Sequence, residues 1–169
     1  FQDLSLNDCY FIMAQMAKAV AQLHSIGIVH RDLKTDNFLF IRDKEGKIQH
    51  VKLIDFGVSS LLQEDKRYES TLFPFFFVDP TWLLKSDYED APQFLLESDI
   101  YQLGVAFYQV LQGWSLEELF EYFKKEAEVF KTPEDTKLVK PMRQVKQTPE
   151  KWKGIDQIEN PGVKKMLLR

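Results

Sequence analysis

The segment from Glu97 to Gln112 limits the possible folds more than any other, because its apolar residues leave almost no polar face. A helix that is apolar all round is stable only when other elements bury it on every side. The chain has 169 residues, of which 44% are hydrophobic, so it is long enough to supply one such core. We therefore expect a mainly helical domain built around this central helix.

Two amphipathic helices are predicted from capping residues and apolar spacing. The first runs from Leu6 to about Ser25, with an N-cap pattern over Ser5 to Asp8 and a closing turn at Gly27. The second runs from Leu116 to about Phe130 and opens with a capping box over Ser115 to Glu118. Both helices have one apolar face that can pack on the central helix.

A small β element is predicted between the first helix and the central one. Phe38 to Ile41 and Ile48 to Ile54 have the character of short strands, and the turn-rich stretch between them contains Gly46. A polar loop over Ile28 to Asn37 precedes them. This pattern predicts a hairpin that starts directly after the polar loop.

The remaining segments show weaker patterns. Residues 55–80 and 131–153 have no sustained period and are expected to be loops, the second with at most short helical turns. Asn160 followed by Pro161 predicts the start of a last helix. His24 and His50 lack the spacing of metal ligands, and we expect them on the surface of the first helix and on a strand.

Charge and cysteine content exclude several classes of protein. The 22 Lys and Arg against 26 Asp and Glu give a net charge of −4, so no global positive field exists to bind nucleic acid. The single cysteine, Cys9, excludes an internal disulfide framework and a Cys-rich zinc module. No apolar stretch approaches the roughly 20 residues of a membrane span, and no signal pattern is present. We expect an intracellular, cytoplasmic protein.

The densest chemical pattern is the polar run from His30 to Asn37, followed at the end of the second strand by Asp55. An aspartate and an asparagine on one loop, facing an aspartate at the mouth of a strand pair, offer hard oxygen ligands to Mg²⁺ and phosphate chemistry. Taken singly, the residues have ordinary alternatives: Asp32 and Asn37 as turn formers, Asp55 as a strand cap, Arg31 as a surface cation.

Three motifs occur together and in order: the polar run His30 to Asn37, the sequence Asp55-Phe56-Gly57, and the helix start Ser98 to Gly104. They match the catalytic loop, magnesium loop and buried central helix of eukaryotic-type protein kinases, which this chain resembles over nearly its whole length. The resemblance implies the C-terminal lobe of a kinase domain, a helical bundle around a buried central helix with a small β-hairpin near the catalytic loop.

The resemblance implies roles in phosphoryl transfer for four residues. Asp32 would be the base or orienting carboxylate for the substrate hydroxyl. Lys34 would neutralise charge on the γ-phosphoryl, and a lysine at this position is similar to the Ser/Thr-specific branch of the family. Asn37 and Asp55 would hold two Mg²⁺ ions that bridge the phosphates of ATP.

Further positions would shape the site. The resemblance implies that Leu39 lies beneath the adenine, and that His30 packs on Phe56, which Gly57 follows in the magnesium loop. Asp99 should accept hydrogen bonds from the catalytic-loop backbone.

A regulatory phosphate is implied as well. By the resemblance, Arg31 would bind a phosphate on the activation loop, for which Ser70 and Thr71 are the candidate sites. The loop ends in Asp79-Pro80-Thr81, where most relatives have Ala-Pro-Glu, and this departure affects the expected docking of a protein substrate.

The half of the family's fold that clamps the nucleotide is not evident in this sequence. No two of the seven glycines are close enough to form a Gly-rich phosphate loop, and no upstream strand carries a phosphate-binding lysine. We expect one domain over residues 1–169, a C-terminal lobe without its N-terminal lobe and with its last helices truncated. These residues alone are expected to bind ATP weakly and to transfer phosphate negligibly.

The expected function is ATP- and Mg²⁺-dependent transfer of a phosphoryl group to a serine or threonine hydroxyl of a protein substrate, with the missing lobe as a partner in cis. One alternative is a pseudokinase that acts as a scaffold, favoured by the altered segment at 79–81 and the aromatic run Phe75 to Phe77. Another is a small-molecule kinase of the aminoglycoside or choline type. Retention of Asp32, Lys34 and Asn37 with Asp55 argues against the scaffold. The combination of Lys34, Phe56-Gly57 and the helix start Ser98 to Gly104 fits the protein kinases better than the small-molecule kinases.

Overall fold

The computed structural model describes residues 1, 3–62, 96–129, 145 and 148–167. In chain order, the elements are α1 (Leu6–Ser25), β1 (Ile28–Val29), β2 (Phe38–Arg42), β3 (Ile48–Leu53), β4 (Ser60–Leu61), α2 (Leu96–Gln112), α3 (Leu116–Val129) and α4 (Pro161–Leu167). Short 3₁₀ turns cover Thr35–Asn37 and Pro149–Lys151. The predicted fold class, mainly helical with a small hairpin, is confirmed.

Side-chain caps fix the starts of three helices. The Ser5 hydroxyl accepts a hydrogen bond from the Asp8 N–H at 3.2 Å, and the Asp8 carboxylate accepts one from the Ser5 N–H at 3.3 Å. Ser115 and Glu118 form the same reciprocal pair at 3.1 and 2.7 Å. The Asn160 side chain accepts from two N–H groups in the first turn of α4. These caps satisfy backbone donors that a helix start leaves unpaired, and they confirm the predicted starts.

Helix α2 is the centre of the core, as predicted. It packs against α1, and its side chains Val105, Ala106, Phe107 and Val110 are almost completely buried. Two features differ from the prediction of a helix that is apolar and buried all round. Ile100, near its start, is 51% exposed. The helix also has a buried polar side formed by Asp99, Gln102 and Gln109, which we call the polar stripe.

The hairpin formed by β2 and β3 is antiparallel and lies against α1. Its register pairs Phe38 with Leu53, and one further hydrogen bond joins the Ile54 N–H to the Asn37 carbonyl at 2.9 Å. Gly46 closes the hairpin turn with a φ of 84°, a left-handed conformation that glycine adopts without strain. The hairpin thus holds the residue before β2 beside the residues that follow β3.

A second pair of strands, β1 and β4, was not predicted. These two-residue strands are antiparallel, with Ile28 opposite Leu61 and Val29 opposite Ser60. Strands this short contain no repeat that could reveal a period of two, and their pairing depends on the fold of everything between them. The expected loop over residues 55–80 therefore contains a short strand at 60–61.

Several predictions fall on residues outside the described ranges. They include residues 63–80 of the first expected loop, most of residues 131–153, and Phe130 at the end of the second amphipathic helix. The 3₁₀ turn at Pro149–Lys151 agrees with the expected short helical turns. Among the described residues, no helix combines the length and apolar character that a membrane span requires.

Candidate active site

The site forms where the 30–37 loop meets the end of β3. The loop connects β1 to β2, and the bond between the Ile54 N–H and the Asn37 carbonyl extends the hairpin by one residue past the β2–β3 register. Asn37 at the end of the loop and Asp55 after β3 therefore lie at the same end of the hairpin. The structure brings the two motifs that the sequence separates into one place.

Asp32 is the most tightly organised acid of the loop. Its Oδ2 accepts hydrogen bonds from the Lys34 ammonium at 2.8 Å and from the Asn37 amide at 3.0 Å. The same Asn37 amide also donates to the Asp32 carbonyl at 2.7 Å. These contacts fix the plane of the carboxylate and do not involve its second oxygen, Oδ1.

The second oxygen, Oδ1 of Asp32, is buried and has no hydrogen-bond partner in the part of the chain that the structure describes. A buried acceptor left unpaired costs about 1–3 kcal/mol, so native proteins pair such atoms with rare exceptions. One kind of exception is a binding site, where a ligand supplies the missing hydrogen bond. Oδ1 can accept a hydrogen bond from a bound hydroxyl group.

Asn37 and Asp55 have oxygen atoms that fit Mg²⁺. Because the Asn37 amide nitrogen is bonded to Asp32, the side-chain carbonyl oxygen of Asn37 remains available as a ligand. The Asp55 carboxylate is exposed, and within the described ranges it accepts one long hydrogen bond, of 3.3 Å from the Gly57 N–H. Two protein oxygens suit Mg²⁺, which takes its other ligands from phosphates and water. No group of three or more His, Cys, Asp or Glu suited to a metal exists among the described residues.

Two residues of the site have left-handed backbones without being glycine. Arg31 has a φ of 77° and Asp55 a φ of 61°. Such conformations cost of order 1–3 kcal/mol, and they persist only where surrounding contacts hold them. For Arg31 those contacts come from α2.

Asp99 of α2 holds the start of the 30–37 loop. Its carboxylate is fully buried and accepts hydrogen bonds from the backbone N–H groups of His30 and Arg31, each at 2.8 Å. The ring of His24 gives a third contact at 2.8 Å to Oδ2. The backbone contacts are those expected of Asp99. The expectation of a surface position for His24 is wrong, since its side chain is only 12% exposed and lies against Asp99.

His30 joins the loop to the end of β3. Its ring packs edge-on against Phe56, with 5.2 Å between centroids, and its Nε2 donates to the Ile54 carbonyl at 3.1 Å. Burial lowers the pKa of His30, outweighing the opposite effects of the Ile54 carbonyl and nearby carboxylates. The neutral ring also leaves Nδ1 as an acceptor for the Asp32 N–H at 3.4 Å.

This lowered pKa predicts a loss of stability on acidification. Below about pH 6.5 an unfolded histidine binds a proton that the native His30 excludes, so the unfolded state binds more protons and the free energy of unfolding falls. Urea unfolding between about pH 7.5 and 5.5 measures this slope. His30→Phe should flatten it, whereas His50→Gln, at an exposed strand position, should leave it unchanged. An equal slope in His30→Phe would contradict the assignment.

The polar stripe supplies contacts that the sequence analysis missed. Gln102 bonds to the loop backbone on both sides of Asp32, and Gln109 accepts a bond from the Thr35 hydroxyl at 2.9 Å. A signal was present, because glutamines in an otherwise apolar helix need partners when the helix is buried. What they bond to could not be inferred, since the partners lie far away in sequence.

Some of the other expected site residues lie within the described ranges and some lie outside them. Leu39, on β2, is 50% exposed beside the loop, and Phe56 is 49% exposed. Arg31 is buried, so the alternative of a surface cation does not hold. Ser70, Thr71 and the 79–81 segment lie outside the described residues.

Comparison with known proteins gives a consistent result. A family model described as a protein kinase domain matches residues 2–167. CDPK-related kinases 3 and 5 of Arabidopsis thaliana are 36% and 38% identical over 107 and 106 residues, and a CDPK-related protein kinase of Daucus carota is 34% identical over 108. Each match covers 63% of this chain and 16% of the relative, so the matched stretch is about a sixth of each relative's length.

Proposed function

This chain belongs to the protein kinase family, and we propose that it carries the catalytic and substrate-binding part of a serine/threonine protein kinase. The reaction would move the γ-phosphoryl group of Mg-ATP to a hydroxyl of a protein substrate. The observation that carries the proposal is the Asp32 carboxylate, with one oxygen held by Lys34 and Asn37 and the other buried without a partner among the described residues.

In this proposal Asp32 acts on the acceptor hydroxyl. Its free Oδ1 accepts the hydroxyl hydrogen bond, aims the oxygen at the phosphorus and takes up the proton as the new bond forms. Lys34 places a cation beside that oxygen, where it offsets charge on the phosphoryl group as it transfers. The lysine also supports the serine/threonine assignment, and the names of the plant relatives are those of kinases.

ATP and Mg²⁺ are the proposed cofactors. Asn37 and Asp55 would hold the metal, and Leu39 would contact the adenine from the exposed side of the hairpin. Bound Mg²⁺ supplies charge neutralisation at the phosphate oxygens. The part of Asn37 is to present a carbonyl oxygen, because its amide group is already bonded to Asp32.

The exposed apolar side chains beside the site support a second half of the nucleotide pocket. Leu39, Ile54, Phe56 and Val58 are all exposed at or near the end of the hairpin. We propose that an N-terminal lobe, in cis, covers this surface and provides the Gly-rich loop and the phosphate-binding lysine. Residues 1–169 would then be one C-terminal lobe, with weak ATP binding and negligible transfer on their own.

Phosphoryl transfer by the complete natural protein tests the proposal. With radiolabelled ATP and Mg²⁺, we expect transfer to serine and threonine peptides and none to matched tyrosine peptides. Asp55→Asn should raise the Mg²⁺ concentration needed for half-maximal activity by about tenfold or more, because a neutral amide attracts the cation less than a carboxylate does.

The matched control is Asp156→Asn, which makes the same change at an exposed position on the segment before α4. It should leave the Mg²⁺ requirement unchanged. No transfer by the unvaried protein would favour the scaffold alternative, and transfer to a small-molecule hydroxyl alone would favour the small-molecule kinase. An Mg²⁺ requirement unaffected by Asp55→Asn would remove Asp55 as a metal ligand.

A further inference from the structure

The side chain of Gln102 forms hydrogen bonds with the peptide groups on both sides of Asp32. Its Oε1 accepts a hydrogen bond from the Leu33 N–H at 2.8 Å, and its Nε2 donates to the Arg31 carbonyl at 3.1 Å. The first belongs to the peptide group that follows Asp32, and the second to the one that precedes it. One amide therefore holds both ends of the residue that carries the acid.

Both bonds are made inside the core. Gln102 is 1% exposed, and its amide can satisfy both partners in one orientation only, since a carbonyl accepts and an N–H donates. If the amide is lost, a buried N–H and a buried carbonyl remain without this partner. Each such loss is costly, so the loop has a strong reason to keep this one backbone arrangement.

Gln102 and Asp99 bind different backbone groups of the 30–37 loop. They lie three residues apart on α2 and so face the same side of the helix. Asp99 binds the N–H groups of His30 and Arg31, while Gln102 binds the groups that flank Asp32. The start of the loop and the position of its acid are thus set by different side chains.

We propose that Gln102 is a positioning residue for phosphoryl transfer, which orients Asp32 through its two flanking peptide groups without touching substrate or nucleotide. The proposal rests on the function proposed above. Rotation of the Asp32 backbone would move Oδ1 away from the acceptor hydroxyl, and a displacement of about 1 Å can cost on the order of a hundredfold in rate. Gln102 thereby links the rigid core to the reacting carboxylate.

The test variant is Gln102→Met in the complete natural protein, because methionine has the same unbranched length but makes neither bond. We expect kcat for peptide phosphorylation to fall by about tenfold to a hundredfold. KM for Mg-ATP should change less than kcat does, because two of the proposed nucleotide and metal contacts, Leu39 and Asp55, lie outside the 30–37 loop whose backbone Gln102 binds. Gln102→Asn is too short to reach both peptide groups and should lower kcat in the same way.

Tyr108→Phe is the matched control. It removes a hydroxyl from the same helix, which donates a hydrogen bond to the Lys153 carbonyl at 2.9 Å and interacts with the Tyr122 hydroxyl. It should lower the melting temperature without lowering kcat. Hydrogen exchange adds a readout that does not depend on activity: the Leu33 amide should exchange about tenfold faster in Gln102→Met than in Tyr108→Phe.

The outcomes separate the two proposals. If the unvaried protein transfers no phosphoryl group, the proposed function fails and the positioning role fails with it. If the unvaried protein is active but the two Gln102 variants keep the kcat of Tyr108→Phe, the positioning role alone is overturned. A fall in kcat with unchanged exchange at Leu33 would also overturn it, since the effect would then not pass through the loop backbone.

Discussion

Asp32→Asn is expected to lower kcat for phosphoryl transfer by about 10²–10⁴-fold, the range by which a positioned acid or base accelerates a reaction. The amide oxygen can take the place of Oδ2 and keep the bonds from Lys34 and Asn37. The amide nitrogen then occupies the position of Oδ1, where it can donate but cannot accept. The acceptor hydroxyl loses the group that aims it and takes its proton.

The same variant should keep its fold and its nucleotide affinity. The substitution changes no volume, and the two bonds to Oδ2 remain possible, so the melting temperature and the Kd for Mg-ATP should stay near those of the unvaried protein. Steady-state rates, thermal unfolding and equilibrium binding measure the three quantities separately. If kcat is unchanged, Asp32 is no catalytic residue and the enzymatic proposal is wrong.

Asp99→Ala is expected to lower the free energy of unfolding by about 3–5 kcal/mol, the range observed when one partner of a buried charged network is removed. The substitution leaves the N–H groups of His30 and Arg31 without their acceptor and removes the contact to His24. It also releases the left-handed backbone of Arg31, which Asp99 holds. Activity should fall with stability, because the loop that carries Asp32 loses its anchor.

Asp99→Asn separates the loss of charge from the loss of shape. Its amide can accept at one oxygen only, so a donor faces a donor at the other position, and we expect a smaller loss of about 2–3 kcal/mol. Equilibrium urea unfolding compares both variants with Asp8→Asn, which replaces an exposed cap carboxylate of α1. A loss in Asp99→Ala no larger than that of the exposed control would show that the loop does not depend on Asp99.

A feature could be predicted from the sequence when the residues that form it lie close together in the chain. The starts of α1 and α3 were predictable because Ser5 with Asp8, and Ser115 with Glu118, form caps within a single turn. The hairpin was predictable from its apolar runs and its turn. The candidate site was predicted from the three motifs. The structure contains the contact of His30 with Phe56 and the hydrogen bonds of Asp99 to the loop backbone.

Contacts between distant segments were the ones missed. In the sequence, Gln102 is a polar residue in a mostly apolar helix. Nothing near it in the chain indicates a hydrogen bond to Leu33. His24 was placed on the surface for the same reason, since only the fold brings Asp99 to the end of α1. The β1–β4 pair escaped prediction because each strand has only two residues and the two are separated in sequence by the 30–37 loop and the hairpin.

That pair of strands gives the site the topology of a closed ring. The chain enters at Val29, carries the 30–37 loop, the hairpin and the Asp55 turn, and leaves at Ser60, which lies opposite Val29. The Ser59 hydroxyl bonds the His30 carbonyl at 3.2 Å, and the Leu62 N–H bonds the Gly27 carbonyl at 2.7 Å. On the β4 side of this pair Leu61 is 49% exposed, and each hydrogen bond of the pair is worth only about 0.5–1.5 kcal/mol. Opening it would loosen the segments that carry Asp32 and Asp55 together.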